Sequence, residues 1–278
     1  MPDVVWARRP ELRHPIAILA FAGWNDAGEA ATDAVRHLIA SLEGDAIARI
    51  DPDGFFDFQV RRPEVEMTES GVRSLNWPRN EFHALHHPDT DLVVVLGEEP
   101  NLRWRAFGDA VAEVLRTLAV ERALLLGAFL GQVPHTAPVP LVGSSPDPAL
   151  LVRNQVSLSR YEGPTGIVGS LTLQLAGHDI PTMSLWAAVP HYLSNQAYPP
   201  AVYSLVRKAM SIFDLQLDTA DLAVAAADFR LQVDAAVAGN EELVQYVRKL
   251  EAVTEDEEVV PDHGADLVEE IERFLREG

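Results

Sequence analysis

Two short segments carry carboxylates that could perform chemistry. Asn25 and Asp26 follow one apolar run, and Glu98 and Glu99 follow another further along the chain. Two carboxyl groups that neighbouring loops bring together can serve as the acid and the base of a proton transfer. Simpler roles are also open, since Asp26 can cap the following helix and the glutamates can be solvated loop charges. We take Asp26 and Glu98 as candidate catalytic and ligand-binding residues, with Asn25 as a further ligand-binding candidate.

A third segment, residues 163–171, has the sequence GPTGIVGSL, with glycines at intervals of three. This spacing is neither the dinucleotide fingerprint nor the phosphate loop of nucleotide-binding proteins. Gly163 and Gly166 can turn the backbone tightly, Thr165 can cap the next helix, and amides at the helix start can hold a carboxylate or phosphate. Gly169 lies one turn inside that helix, where close packing against the sheet explains it. We predict a strand-to-helix turn first, with an anion site at Gly163, Thr165 and Gly166 as the alternative.

The nine histidines do not form a recognisable metal motif. Three of them lie close together, at His83, His86 and His87. Pro88 argues against a helix continuing there, and the chain has no cysteine to complete a zinc site. We therefore predict no metal and no cofactor. The serine nucleophile motif GxSxG is also missing. His191 is a further catalytic candidate because it follows a predicted strand, although it can simply bond a backbone carbonyl in a tight corner.

Alternating strand and helix patterns position these segments. Short, nearly continuous apolar runs are typical of strands that are covered on both faces. Each run is followed by apolar residues at helical spacing, which predicts a largely parallel sheet between helical layers. The predicted strands cover residues 15–21, 46–50, 92–96, 123–129 and 181–189, and the predicted helices cover 30–42, 107–118, a segment ending at 176, and 201–213.

Ligands of parallel α/β sheets collect beyond the carboxyl ends of the strands, where loops and helix N-termini meet. The loops 23–28, 97–101 and 163–169 share that position in the predicted order of elements. We therefore expect them to lie along one edge of the sheet.

Two regions fit the alternation poorly. Residues 54–60 and 67–77 predict an inserted hairpin or an irregular excursion. Residues 134–148 are rich in proline, cannot form a helix, and are too long for a simple connection, which indicates a functional segment.

The C-terminal part has a different pattern. Helical stripes follow Asp218 and Asn240, and an acidic linker at 254–264 leads to a final amphipathic helix. We divide the chain into an α/β core at 1–217 and an acidic helical extension at 218–278. The extension can dock on its own core or mediate assembly, and docking is the simpler expectation.

Composition excludes several classes of protein. Asp and Glu number 42 against 22 Lys and Arg, and the formal charge of −20 would repel nucleic acid. The absence of cysteine excludes disulfides and thiol nucleophiles. The first 15 residues do not resemble a signal peptide, and no apolar run reaches the roughly 18 residues of a membrane span. We expect a soluble, cytoplasmic protein that binds neither nucleic acid nor membrane.

Four segments, in this order, resemble the PAC2 family, which is named for proteasome assembly chaperone 2: FAGWNDAGEAA, LGEEPNLRW, YEGPTGIVGSL and SLWAAVPHYLS. The likeness runs from about Pro15 to Leu217 and is greatest to bacterial, actinobacterial-type members. It implies a three-layer α/β core with a parallel or mixed sheet, similar to the phosphorylase/hydrolase-like fold, and a homo-oligomer such as a trimer.

The resemblance implies no known reaction. Eukaryotic and archaeal members assist proteasome assembly, and most bacterial members have no assigned activity. Archaeal relatives dock on the proteasome through a C-terminal hydrophobic–Tyr–any motif, whereas residues 274–278 here are FLREG. The resemblance therefore does not extend to that contact.

Two functions fit the sequence. The first is a non-enzymatic, chaperone-like assembly or interaction protein, with itself and another protein as partners. The alternative is a small-molecule binding protein or hydrolase, acting on a nucleoside-like or anionic ligand in a pocket at the strand ends. We favour the first because the sequence holds no convincing catalytic set.

Overall fold

The computed structural model describes residues 3–68 and 71–253. Its main sheet contains the strands β1 (Val4–Trp6), β2 (Ile16–Ala22), β3 (Asp45–Ile50), β6 (Asn80–His86), β7 (Asp91–Glu98), β8 (Arg122–Gly131), β9 (Leu141–Ser144), β10 (Ser157–Leu158) and β11 (Thr182–Pro190). Their order across the sheet is β1-β3-β6-β7-β2-β8-β11-β9-β10. Two further strands, β4 (Glu64–Met67) and β5 (Arg73–Asn76), form a separate hairpin.

Helices cover both faces of the main sheet. They are α1 (Ala30–Ser41), α2 (Trp104–Thr117), α3 (Pro148–Arg153), α4 (Ile167–Gly177), α5 (Pro199–Phe213), α6 (Ala220–Ala238) and α7 (Glu241–Val253). The buried residues of α1 and α5 belong to one core, and those of α2 and α4 belong to a second core on the opposite face. This confirms the predicted three-layer α/β arrangement. No described helix is both long enough and apolar enough to cross a membrane.

The four central strands, β7, β2, β8 and β11, run parallel to one another. Both faces of these strands are covered, which is why their sequences are almost continuously apolar. In β2, for example, Ile18 belongs to the core beneath α1 and α5 while Leu19 belongs to the core beneath α2 and α4, and both are fully buried. These are the strands that the sequence predicted best.

Antiparallel strands extend this parallel centre, so the sheet is mixed. β6, β3 and β1 add to one side, and β9 pairs antiparallel with β11 on the other. β9 lies inside the proline-rich segment 134–148, for which only the absence of a helix was predicted. It occupies a stretch free of proline, because proline cannot donate to a strand ladder.

The excursion before β6 contains both of the predicted alternatives. Residues 52–60 form a short 3₁₀ turn followed by further turns. The strands β4 and β5 form the hairpin, and their residues belong to neither core.

The first two helices of the C-terminal extension pack on the core. Val233 of α6 and both Val247 and Leu250 of α7 are buried in the same cluster as the α5 residues. The side chains of Asp218 and Asn240 accept backbone hydrogen bonds at the starts of α6 and α7. Docking is therefore confirmed for α6 and α7. The predicted linker at 254–264 and the last helix lie outside the described residues, and the domain boundary at 217/218 stays a prediction.

Candidate functional site

The three loops that were expected to share an edge do meet at the carboxyl ends of β2 and β7. These strands are neighbours, with Ala22 opposite Glu98, so the loops that follow them are adjacent. Oε1 of Glu99 accepts a hydrogen bond from Nδ2 of Asn25 at 2.8 Å. The same oxygen accepts another from the backbone N–H of Ile167, at the start of α4, at 2.7 Å. One carboxylate therefore joins all three loops.

Glu98, the candidate from the sequence analysis, points away from this junction. It is the last residue of β7, and its carboxylate forms an ion pair with the guanidinium of Arg61. Successive side chains of a strand face opposite sides, so the next residue, Glu99, faces the loops instead. The sequence analysis selected Glu98 from the glutamate pair as a site candidate, whereas the residue that joins the loops is Glu99. The strand was predicted to end at Leu96, two residues early, so its alternation could not be extended to the pair.

Asp26 is buried and binds the start of α1. Its Oδ1 accepts hydrogen bonds from the backbone N–H groups of Ala31 at 2.7 Å and Thr32 at 3.1 Å, and its Oδ2 accepts one from the Thr32 hydroxyl at 2.5 Å. Burial raises the pKa of the Asp26 carboxyl, and these hydrogen bonds partly oppose the rise. The side chain thus performs the capping role that was the simpler of its two expectations.

The start of α4 differs from the predicted cap. Thr165 is exposed and makes no cap hydrogen bond, because Glu99 supplies the acceptor from another loop. Gly166 leaves room for Asn25, since a Cβ at this position would overlap Oδ1 of the buried asparagine. Gly169 approaches the hydroxyl of Thr165 rather than the sheet. The predicted turn is present, and its first helical amide is already bonded to a carboxylate.

A cavity of about 750 Å³ lies beside this junction. Its walls come from the ends of β8, β9 and β11, from α4, and from the loops at 23–29 and 194–197. Of the ligand-binding candidates, Asp26, Gly163 and Thr165 line the cavity, whereas Asn25, Glu98 and Gly166 are not part of its lining. The assignment of these residues to ligand binding stays a prediction.

His191 is buried outside the cavity and contacts α7. Its Nδ1–H donates to the carbonyl oxygen of Gly131 at 3.2 Å, so Nε2 is the acceptor for the hydroxyl of Tyr246 at 2.8 Å. The bond to a backbone carbonyl that was the simpler expectation is present. Neither ring nitrogen is left to act on a substrate.

The neighbouring His135 fastens α6 in a similar way. Its backbone N–H donates to the hydroxyl of Tyr192 at 2.8 Å, and that hydroxyl donates to Nδ1 of the same histidine at 2.7 Å. Nε2–H is then directed at the carboxylate of Asp234 in α6, at 3.0 Å. Two buried histidines thus attach the C-terminal helices to the core, a role that no local sequence pattern indicates.

His83, His86 and His87, which are close in the sequence, lie in three different environments in the structure. His83 lies on β6, a strand, and burial lowers its pKa. His86 bonds the carboxylate of Asp91, and His87 bonds the backbone carbonyl of Gln216. Across the described part of the chain, no three His, Asp or Glu side chains are grouped as metal ligands.

One protein-family model matches most of this chain. The model of the PAC2 family matches residues 20–237, which is well over half of the sequence. The chain belongs to the PAC2 family. The resemblance found in the sequence is thereby confirmed.

Solved structures of PAC2 proteins from actinobacteria resemble this one closely. A PAC2 family protein from Streptomyces avermitilis is 38% identical, with a TM-score of 0.77, and the match covers 84% of this chain and 99% of that one. A proteasome-assembly chaperone homologue from Mycobacterium tuberculosis is 39% identical, with a TM-score of 0.78 and the same coverage.

A more distant PAC2-like structure is an archaeal proteasome activator from Pyrococcus furiosus. It is 18% identical with a TM-score of 0.65, covering 85% of this chain and 99% of that chain, and it shares the fold alone. A comparison with curated proteins gives no match.

In this PAC2 protein, replacing Glu99 by alanine should weaken the loop junction. The change removes the acceptor for two donors, Nδ2 of Asn25 and the N–H of Ile167. We expect the free energy of unfolding to fall by about 2–4 kcal/mol, because a buried donor without a partner costs about 1–3 kcal/mol. Urea unfolding followed by circular dichroism measures this loss.

Two control variants separate the junction from surface charge. Glu99→Gln keeps a side-chain oxygen and should recover most of the lost stability. Glu98→Ala breaks a partly exposed ion pair and should cost less than about 1 kcal/mol. Equal losses in Glu98→Ala and Glu99→Ala would contradict the assignment of the junction to Glu99.

The raised pKa of the Asp26 carboxyl predicts a pH dependence of stability. Because the folded state holds this proton more tightly than the unfolded chain, its contribution favours folding at low pH and is lost as pH rises from about 4 through the raised pKa. Asp26→Asn titrates in neither state. The free energy of unfolding of this variant, relative to the parent, should therefore increase between about pH 4 and pH 7. A difference that is constant across this range would show that the carboxyl is not perturbed.

Removal of the Tyr246 hydroxyl tests the attachment of α7. Tyr246→Phe leaves Nε2 of the buried His191 without its donor, and we expect a loss of about 1–2 kcal/mol in unfolding free energy. Hydrogen exchange of the α7 amides should become faster. Tyr203→Phe is the matched control, because that hydroxyl only meets Arg207 at 3.4 Å on the surface. Unaltered exchange in α7 would argue against the histidine contact as an anchor.

Proposed function

We propose that this protein is a non-enzymatic, chaperone-like assembly protein that acts through contacts with protein chains and is itself a homo-oligomer. Membership of the PAC2 family supports the proposal. The M. tuberculosis relative is called a proteasome-assembly chaperone homologue, and we carry over to this chain only the general role of assisting protein assembly. The proposed location is the cytoplasm, in keeping with a chain that has no cysteine.

The bonding of the candidate catalytic side chains supports a role without chemistry. Asp26 accepts three hydrogen bonds at the start of α1. Glu98 is paired with Arg61, and both ring nitrogens of His191 are engaged. Each of these groups contributes to the fold, and they do not converge on one another.

The observation that carries the proposal is the β4–β5 hairpin. Val65 and Leu75 are direct partners across its two strands, and Met67 lies two residues further along the same face. Their exposed fractions are 62%, 46% and 69%. A two-stranded hairpin is marginally stable in water by itself, and adjoining exposed apolar side chains mark a contact surface. The hairpin therefore presents an apolar face that a partner would cover.

A second copy of the chain is the partner that the charges favour. Two molecules of formal charge −20 repel each other over most of their surfaces. Residues 60–77 contain three arginines and three glutamates, so this segment is neutral. Among the residues that the structure describes, each hairpin strand also has one edge without a neighbouring strand, which the hairpin of a second copy can extend. We propose that copies associate through this hairpin.

Native mass spectrometry of the full chain tests the association. The double variant Val65→Thr/Leu75→Thr places β-branched threonine, which suits a strand, at both positions but removes apolar contact area. We expect its oligomers to dissociate at concentrations at least about tenfold higher than those of the parent. Val152→Thr is the control, because Val152 is an exposed valine on α3, away from the hairpin.

Two results would count against this role. One is a parent protein that is monomeric and carries no other chain when it is gently purified from its own host. The other is a double variant that keeps the parent's oligomeric mass and bound proteins. A second protein retained by the parent and lost from the double variant would support the assembly role but replace the second copy as the partner at the hairpin.

A further inference from the structure

The large cavity contains a flat aromatic surface. Trp186, on β11, lies across Gly127 of the neighbouring strand β8, where any Cβ would overlap the indole ring. The indole Nε1–H donates to Oγ of Ser184 at 3.1 Å, which fixes the ring orientation. Trp186 is only half-buried, and it lines the cavity. The missing side chain at Gly127 thus lets the indole lie flat on the sheet as part of the cavity wall.

Uncharged polar groups surround this surface. Ser144, Ser145 and Ser159 line the cavity. Of these, the hydroxyls of Ser144 and Ser145 are already bonded within the protein. Asn195 and Gln196 lie at the exposed rim, and within the described residues their side-chain amides have no hydrogen-bond partner. Amides and hydroxyls of this kind bind ligand hydroxyls and ring nitrogens as both donors and acceptors. The lining therefore combines an aromatic face with neutral hydrogen-bonding groups.

The charges of the cavity disfavour anions. Among the described lining residues there is no Lys, Arg or His, whereas the carboxylates of Asp26 and Glu29 are present. The nearby start of α4 does not offset this negative charge, because its first amide, at Ile167, is already bonded to Glu99. A phosphate or carboxylate in this cavity would meet negative charge and no positive side chain.

We propose that the cavity binds an uncharged compound with a planar heterocycle and hydroxyl groups, a nucleoside without phosphate, with its ring against Trp186. The volume of about 750 Å³ falls within the range of small-molecule sites. The ring stacks on the indole, and the rim amides of Asn195 and Gln196 bind its polar edge. The alternative function from the sequence analysis also allowed an anionic ligand. The negative charge of the lining disfavours that class of ligand. The cavity and the hairpin are separate, so this inference does not depend on the assembly role.

Isothermal titration calorimetry of the full chain tests the ligand class. The probes are adenosine, guanosine, cytidine and uridine, each compared with its 5′-monophosphate. We expect at least one nucleoside to bind saturably. Its monophosphate should bind at least about tenfold more weakly because of repulsion by Asp26 and Glu29. Trp186→Leu should weaken nucleoside binding by about tenfold, the contribution typical of base stacking on an aromatic side chain.

Two further variants control the measurement. Trp77→Leu replaces a tryptophan of the hairpin region, outside the cavity, and should keep the parent's affinity. Leu173→Lys adds a positive charge at a cavity-lining position that is 66% exposed, so the fold should tolerate it. This variant should bring the affinities of nucleoside and monophosphate closer together, and it keeps the proposal testable if Trp186→Leu does not fold.

Three results would overturn the proposal. The first is no binding of any nucleoside at millimolar concentration. The second is a monophosphate that binds the parent as tightly as its nucleoside. The third is a folded Trp186→Leu protein with the parent's affinity.

Discussion

The loops at the carboxyl ends of β2 and β7 are held together by a single oxygen, Oε1 of Glu99. It bonds the side-chain amide of Asn25 and the first amide of α4, and the backbone carbonyl of Asn25 in turn accepts the N–H of Ala128 in β8 at 2.8 Å. Buried donors need acceptors, and the positive end of a helix dipole favours a carboxylate. One side chain therefore sets the positions of two loops, one helix and, through Asn25, a third strand.

The same principle applies at α1, where Asp26 accepts backbone and hydroxyl hydrogen bonds. In both places a carboxylate sits where an α/β enzyme would hold an anionic ligand or a catalytic acid. A carboxylate that binds the helix start satisfies the buried amides. The same oxygens are then not free to bind a ligand or a proton of a substrate. Both carboxylates therefore contribute to the fold. Asp26 nevertheless lines the cavity and contributes negative charge to it.

The sequence predicted the parts of the structure that depend on local pattern. β2, β7, β8 and β11 are covered on both faces and are therefore continuously apolar, and α1, α2 and α5 carry clear apolar stripes. The choice of Glu99 over Glu98 depends on the last two residues of a strand, which the pattern did not reach. The contact between His191 and Tyr246 of α7 joins residues that are 55 positions apart in the sequence. The strand β9 has only four residues and lies between prolines. Contacts of that kind follow from the assembled fold and not from a window of sequence.

The strand order constrains how the chain can fold during synthesis. β11 lies between β8 and β9 although it is made after both of them. Until residues 182–190 leave the ribosome, β8 has an open edge, and β9 has no strand to join it to the sheet. His135 and His191 gain their hydrogen-bond partners later still, because α6 and α7 are the last described elements to be translated. A nascent chain of this protein therefore exposes the apolar edge of a central strand from the synthesis of β8 until that of β11, a stage at which cells use general chaperones.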